Sequence, residues 1–283
     1  MQEENEIKNE DLMRHGLKPM SVTIVILFLL LFVGLIVLLR FPVANSGTDT
    51  TGPFTTLPPL RSEFTSGAVT LKEKPVIDLS GWQLPKNLDY DKLASEVNGV
   101  IVRVQHGTSQ KADTAVKSNG EDTAFQAHIS AFQKRGVPVA VYAYVDGSSV
   151  SEMKSEADSF YNRAKAYQPT FWWLDVEVAN MKDLNAGVQA FREELARLGV
   201  TNVGIYSQVW FLSAHALDVT PFAATWLAYY GPDDGDFEGS PQTSINYAMQ
   251  QYTSQGWLSG YDGALDFSRV SSQAAYNKIF LNK

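Results

Sequence analysis

Residues 170–177 read TFWWLDVE, an apolar run that ends on two carboxylates. Upstream, Pro75–Gln83 (PVIDLSGWQ), Gly99–Gly107 (GVIVRVQHG) and Pro138–Asp146 (PVAVYAYVD) have the same character, as does Asn202–Gln208 (NVGIYSQ) downstream. Amphipathic segments separate them: Asp89–Val97, Glu121–Arg135, Val150–Tyr167, Leu184–Leu198 and a short one near Trp210–Leu217. Near-continuous apolar strands alternating with helices predict a parallel sheet whose outer face those helices cover. The rhythm then changes. Thr225–Gly231 (TWLAYYG), Tyr247–Ser254 (YAMQQYTS) and Ala264–Val270 (ALDFSRV) read as strands without convincing helices between them. The expectation is an α/β chain whose eight strands form a TIM-like (β/α)-barrel, with a last part that lacks its outer helical ring. A doubly wound open sheet is the alternative, although no GxGxxG or GxxxxGK[ST] follows any strand to support nucleotide binding.

Towards the N-terminus the composition shifts sharply. Val22–Leu39 (VTIVILFLLLFVGLIVLL) has Thr23 as its only polar member. As a helix it would extend roughly 27 Å, close to the thickness of a bilayer's hydrocarbon core. A cleaved signal peptide is the rival, but the run is long for one and Glu3, Glu4, Glu6, Glu10 and Asp11 precede it. Lys8, Arg14 and Lys18 lie before the span, whereas after Arg40 at its edge the next positive residue is Arg61. The bias puts the N-terminus inside the cell and the rest outside. The expected organisation is a cytoplasmic tail at 1–21, a transmembrane signal anchor at 22–39, a Thr/Ser/Gly/Pro-rich linker at 40–74 and a catalytic domain at 75–283.

Of the 283 residues, 23 are Lys or Arg and 31 are Asp or Glu, a net charge of −8. Nucleic acid is therefore excluded as the main partner, since neutralising phosphates requires a basic face. With no cysteine there are no disulfides, thiolate nucleophiles or Cys-ligated zinc. His15, His106, His128 and His215 have no helical metal-pair spacing, and no metal is expected.

The acids inside the apolar strands carry the chemistry. Asp78 lies within PVIDLSGWQ and Asp266 within ALDFSRV, while Asp175 and Glu177 are two apart and so share a strand face. A carboxylate embedded in an apolar strand is costly unless it is partnered or used. Helix capping, a salt bridge to Arg103 or to a Lys, or a divalent-cation site are the competing readings. A carboxylate cluster at the C-terminal rim of a barrel suits acid/base cleavage of a sugar acetal, where one acid is kept protonated by apolar walls and like-charged neighbours. Ten rings, Tyr230 among them, lie on or next to the strands and could stack on pyranose faces; Tyr144, Tyr206, Tyr229 and Tyr252 at strand ends, with Tyr142 and Trp226, are the candidates.

These motifs resemble glycoside hydrolase family 25, the Chalaropsis-type lysozymes or N-acetylmuramidases, over about Val76 to Val270. IDLSGWQ is similar to the family's D-x-S-x-x-Q, WLDVE to its D-x-E, TWLAYY to W-x-A-x-Y, and QYTS with GYDGALDFS to its closing motifs. The resemblance implies a (β/α)5(β)3 barrel, needing no cofactor, that cleaves the β-1,4 bond between N-acetylmuramic acid and N-acetylglucosamine. It also implies Glu177 as general acid, Asp175 as the group serving the reacting N-acetyl or oxocarbenium centre, and Asp78 and Asp266 completing the set. Gln83 and Gln251, from the first and last motifs, join the substrate-binding candidates. Departures are Gln250 before Gln251–Tyr252, Ser268 for the motif's last Asn, Ala143 for a third-strand His, and VRVQHG for K-A-T-E-G. The expected partners are peptidoglycan glycan strands and the cytoplasmic membrane, with the domain a monomer facing the cell wall.

Overall fold

The computed structural model describes Leu71, residues 74–107 and residues 112–281. The expected tail, the expected span and nearly all of the expected linker lie outside the described residues. Among the described residues no helix is long and apolar enough to cross a membrane.

The apolar runs become the strands β1 (Val76–Leu79), β2 (Gly99–His106), β3 (Val139–Tyr144), β4 (Trp172–Asp175), β5 (Val203–Gln208), β6 (Ala224–Ala228), β7 (Met249–Gly256) and β8 (Leu265–Val270). They pair in chain order and close into a barrel, which overturns the open-sheet alternative. Each of β1 to β5 is followed by a helix: α1 (Tyr90–Glu96), α2 (Phe125–Gln133), α3 (Val150–Ala164), α4 (Leu184–Arg197) and α5 (Val209–Ala214). No helix joins β6 to β7 or β7 to β8, and the short α6 (Gln273–Tyr276) follows the last strand. β1 to β7 pair in parallel, whereas β8 runs antiparallel to both its neighbours, β7 and β1.

Helix starts follow local chemistry. Asp89, Ser149 and Asp183 cap α1, α3 and α4 by accepting the backbone N–H of Lys92, Glu152 and Ala186. α2 begins later than its amphipathic pattern predicts because Asp122 is held elsewhere. Its buried carboxylate accepts the Arg103 Nε–H at 2.9 Å and the backbone N–H groups of Gly81 and Ala124 at 2.8 Å each.

Strand alternation divides the core in two. Ile77, Leu79, Val100, Val102, Val141, Leu174, Ile205 and Leu227 point outward into one cluster with the helix side chains Phe132, Phe160 and Phe191. Val76, Ile101, Ala140, Phe171, Trp173, Met249 and Val270 fill the barrel's interior. Gly204 pairs with Trp173, and a Cβ there would lie only 2.3 Å from the Trp173 ring, so glycine lets the indole cross the barrel. The Trp173 and Trp226 rings meet edge to face at 5.7 Å, and Tyr206 lies 4.5 Å from Trp226. These rings are the floor on which the polar layer stands.

Candidate active site

One step up the barrel, the interior positions change from apolar to polar. Asp78, Tyr142, Asp175, Glu177, Tyr206, Trp226, Tyr230, Gln251 and Asp266 line a pocket of about 120 Å³ at the strands' C-terminal rim. All four acids expected from the sequence meet there, contributed by β1, β8 and the end of β4. The bland alternatives fail on contact: Arg103 pairs with Asp122, and the four acids cap no helix.

Two carboxyl pairs organise the pocket. Because β8 is antiparallel to β1, Asp266 stands directly opposite Asp78 in the ladder, where like charges repel. Burial first, then the facing Asp266 charge, hold the Asp78 carboxyl well above the usual carboxylate range. Gln251 opposes this by donating Nε2–H to Asp78 Oδ2 at 2.8 Å. The Gln251 orientation is fixed in turn, since its Oε1 accepts from Tyr206 OH at 2.6 Å and Tyr230 OH at 2.5 Å. Burial likewise lifts Asp266 to about 6.

Asp175 and Glu177 form the second pair. Burial raises the Asp175 carboxyl well above its ordinary range, with the Glu177 charge and a hydrogen bond to Glu177 adding to it. Asp175 Oδ1 is buried with no hydrogen-bond partner among the described residues. Glu177 is half-buried at the mouth, where its Oε2 accepts from Gln208 Nε2 at 3.2 Å. Tyr206 flanks Asp175 across the β4–β5 ladder. Trp226 donates its indole N–H to Ser268 Oγ at 2.9 Å, so Ser268, where the resemblance expects asparagine, is a buried acceptor.

Ionising Asp266 costs stability. A carboxyl raised to about 6 in the fold and about 3.9 when unfolded contributes fully below the lower value, and that contribution is lost as pH rises through the upper one. Asp266→Asn is therefore expected to stabilise the domain by roughly 1–3 kcal/mol at about pH 7.5, with the gap to wild type closing towards about pH 4.5. Thermal unfolding of both chains across that range checks it. A gap that does not depend on pH would show that the charge is not the cause.

The remaining candidates fall elsewhere. Gln83 folds back in the turn after β1, where its Oε1 accepts the Ser80 N–H at 3.0 Å. Tyr144 is one layer above Tyr142, stacked on His106 with centroids 4.1 Å apart, at the rim rather than in the pocket. Tyr252 sits on the outer side of β7 against Phe237 and Phe267, at 5.5 and 6.3 Å. Tyr229 is exposed in a neighbouring groove. Three contributors were not singled out as site residues from the sequence: Tyr230, Gln208 and, beyond the pocket, Trp210. Tyr230 was legible, since alternation from Trp226 through Ala228 aims it inward while turning Tyr229 away.

The sequence profile of Glycosyl hydrolases family 25 matches residues 77–261. Among solved structures, a glycosyl hydrolase 25 of Streptococcus pneumoniae, described as a virulence factor participating in host cell invasion, is 46% identical. It covers 76% of this chain and 96% of its own, with a TM-score of 0.72. The catalytic domain of endolysin ply40 from bacteriophage P40 of Listeria monocytogenes is 26% identical over 73% of this chain and 97% of its own, with a TM-score of 0.62. A bacterial lysozyme from Streptomyces coelicolor shares the fold at 17% identity, over 73% of this chain and 96% of its own, with a TM-score of 0.57. No curated protein matches the chain.

Proposed function

The chain belongs to Glycosyl hydrolases family 25 and is a glycosidase, and from that premise we propose that it is a cell-wall muramidase. Its bond is the β-1,4 link between N-acetylmuramic acid and N-acetylglucosamine in peptidoglycan. The observation that carries the reading is the Asp175–Glu177 pair: one buried carboxyl with an unpartnered oxygen, in the same pocket as a second carboxyl at its mouth.

That geometry suggests how the proton is placed. In the free site Asp175 holds its proton by burial. A substrate acetamido N–H donated to Asp175 Oδ1 favours the ionised form of that carboxyl. The proton then passes along the hydrogen bond to Glu177, which delivers it to the glycosidic oxygen. The Asp175 carboxylate is left beside the acetamido group and the developing oxocarbenium charge. Asp78 and Asp266 lie across the same pocket.

Reducing ends released from purified peptidoglycan, with product masses, test the reading. Muropeptides ending in reducing N-acetylmuramic acid support it. Binding without release would identify a glycan-binding module on the same fold, and release from a different N-acetylhexosamine polymer alone would move the substrate.

We place the enzyme outside the cell, held by residues 22–39. Protease added to intact protoplasts is expected to cut within residues 41–74 and to release a soluble, active domain of 75–283. A linker that external protease does not reach, or a released domain that aggregates, would overturn that placement.

A further inference from the structure

On β2 an inward position carries a cation. Ile101 fills the barrel's interior, and Arg103, two residues on, takes the same strand face one step nearer the rim. Its guanidinium is buried, which is costly for a charge that lacks partners. Nε–H donates to Asp122 Oδ2 at 2.9 Å, while Nη2 is buried with no hydrogen-bond partner among the described residues. Asp122 cannot follow the arginine if it moves, since it also accepts the backbone N–H groups of Gly81 and Ala124 at 2.8 Å each. The Arg103–Asp122 pair is therefore a dipole fixed to the backbone.

That dipole has a direction. Arg103 pairs with Tyr142 across the β2–β3 ladder, and Tyr142 lines the acid pocket together with Asp175. A bulge after Arg103 turns Gln105 out to α3, where it donates to the Glu156 carbonyl at 3.0 Å, and brings His106 round to stack on Tyr144. The Arg103 charge favours the ionised forms of Tyr142 and Asp175, whereas the Asp122 charge is felt at His128 on α2. The positive end faces the pocket.

The other titratable groups about Asp175 are Glu177 at its own strand end, Asp78 from β1 and Asp266 from β8, with phenols from β3, β5 and β6. Each carboxylate opposes the ionisation of Asp175, and a phenol is uncharged at neutral pH. Burial, then the Arg103 charge, hold His106 below its usual range, so it adds no positive charge near neutral pH. Arg103 is the cation of this set. Resting on the muramidase reading, we infer that Arg103 is a positioning residue for the acid pair: held by Asp122, its charge acts through Asp175 and sets how readily the proton leaves for Glu177.

The test reads Asp175 in the full-length chain. The infrared carbonyl band of a protonated carboxyl that Asp175→Asn removes belongs to Asp175, and the pH at which it disappears is followed in each variant. Arg103→Gln is expected to move that pH up by about one unit, and Arg103→Lys to leave it nearly in place. Asp122→Asn is expected to move it down, because the arginine's charge is then unopposed. The two directions differ although both substitutions break the same ion pair, and bracing alone cannot produce that. Should Arg103→Gln not fold, Arg103→Gln/Asp122→Asn leaves no buried charge behind and must show the upward shift relative to Asp122→Asn. On peptidoglycan, Arg103→Gln is expected to lose about tenfold in kcat with KM within about twofold, and Arg103→Lys to recover most of it. Arg103→Gln and Asp122→Asn shifting the same way, or neither shifting, would overturn the proposal. So would an Arg103→Lys that behaves like Arg103→Gln, or a spectrum with no band that Asp175→Asn removes. The infrared measurement needs no substrate. If the wild type releases no reducing ends, the muramidase reading falls, and the directions of those shifts still decide the part of Arg103.

Discussion

Glu177→Gln is expected to lose at least ~10²-fold in kcat while folding and binding glycan as the wild type does. The amide fills the same volume and still offers an oxygen to Gln208 Nε2, which reaches Glu177 Oε2 at 3.2 Å. Only the transferable proton is gone. Because Glu177 sits at the pocket mouth, half-buried, the substitution leaves no cavity and no buried charge unpaired, so a change in melting temperature is not the expected cause of the loss. Reducing-end release from peptidoglycan, with circular dichroism on the same sample, makes the measurement. Activity within threefold of wild type would remove Glu177 from the acid role.

Much of this site could be read from the chain because barrel geometry makes position nearly a function of sequence parity. Asp78, Asp175 and Glu177 lie in or just after apolar strands, and alternation in a closed parallel barrel sends such residues inward at one rim. Closure itself was less legible. Apolar parallel strands look alike in an open sheet and a barrel, and the difference lies in β8 returning to pair with β1. The antiparallel sense of β8 was also hidden, yet it is what sets Asp266 opposite Asp78. Parity also explains the candidates that went elsewhere. Gln251 and Tyr252 are neighbours and cannot both face the interior: Gln251 reaches Asp78, and Tyr252 packs outside. Gln83 follows the strand rather than belonging to it, so a turn decides its direction. Trp210 was out of reach because its part depends on a contact between a short helix and a strand end, which no strand periodicity reports.

Asp175→Asn separates the paired carboxyls from the more distant ones. Asparagine keeps the shape of Asp175 and can still hydrogen-bond to Glu177, but it can neither hold the shared proton nor become the carboxylate that faces the reacting centre. Both losses fall on the transition state, so kcat should drop by roughly 10²-fold with KM little changed. Asp78 and Asp266 are held differently. Asp78 is anchored by Gln251, which Tyr206 and Tyr230 orient, and it faces Asp266 across the ladder. Their Asn variants should cost less than Asp175→Asn. The double variant should depart from additivity, because each already relieves the repulsion felt by the other. Steady-state kinetics on the three single variants and the double decide the matter. Full kcat in Asp175→Asn together with abolished activity in Asp78→Asn would reverse the roles, making the β1–β8 pair the reacting one. The raised position of Asp175 adds a separate signature. If burial and the Glu177 charge keep a proton on Asp175, wild-type activity falls at high pH as that proton is lost, and Asp175→Asn, which has no such proton to lose, must move that limb. A high-pH limb identical in the two chains would mean that the proton delivered to the leaving oxygen was never shared with Asp175.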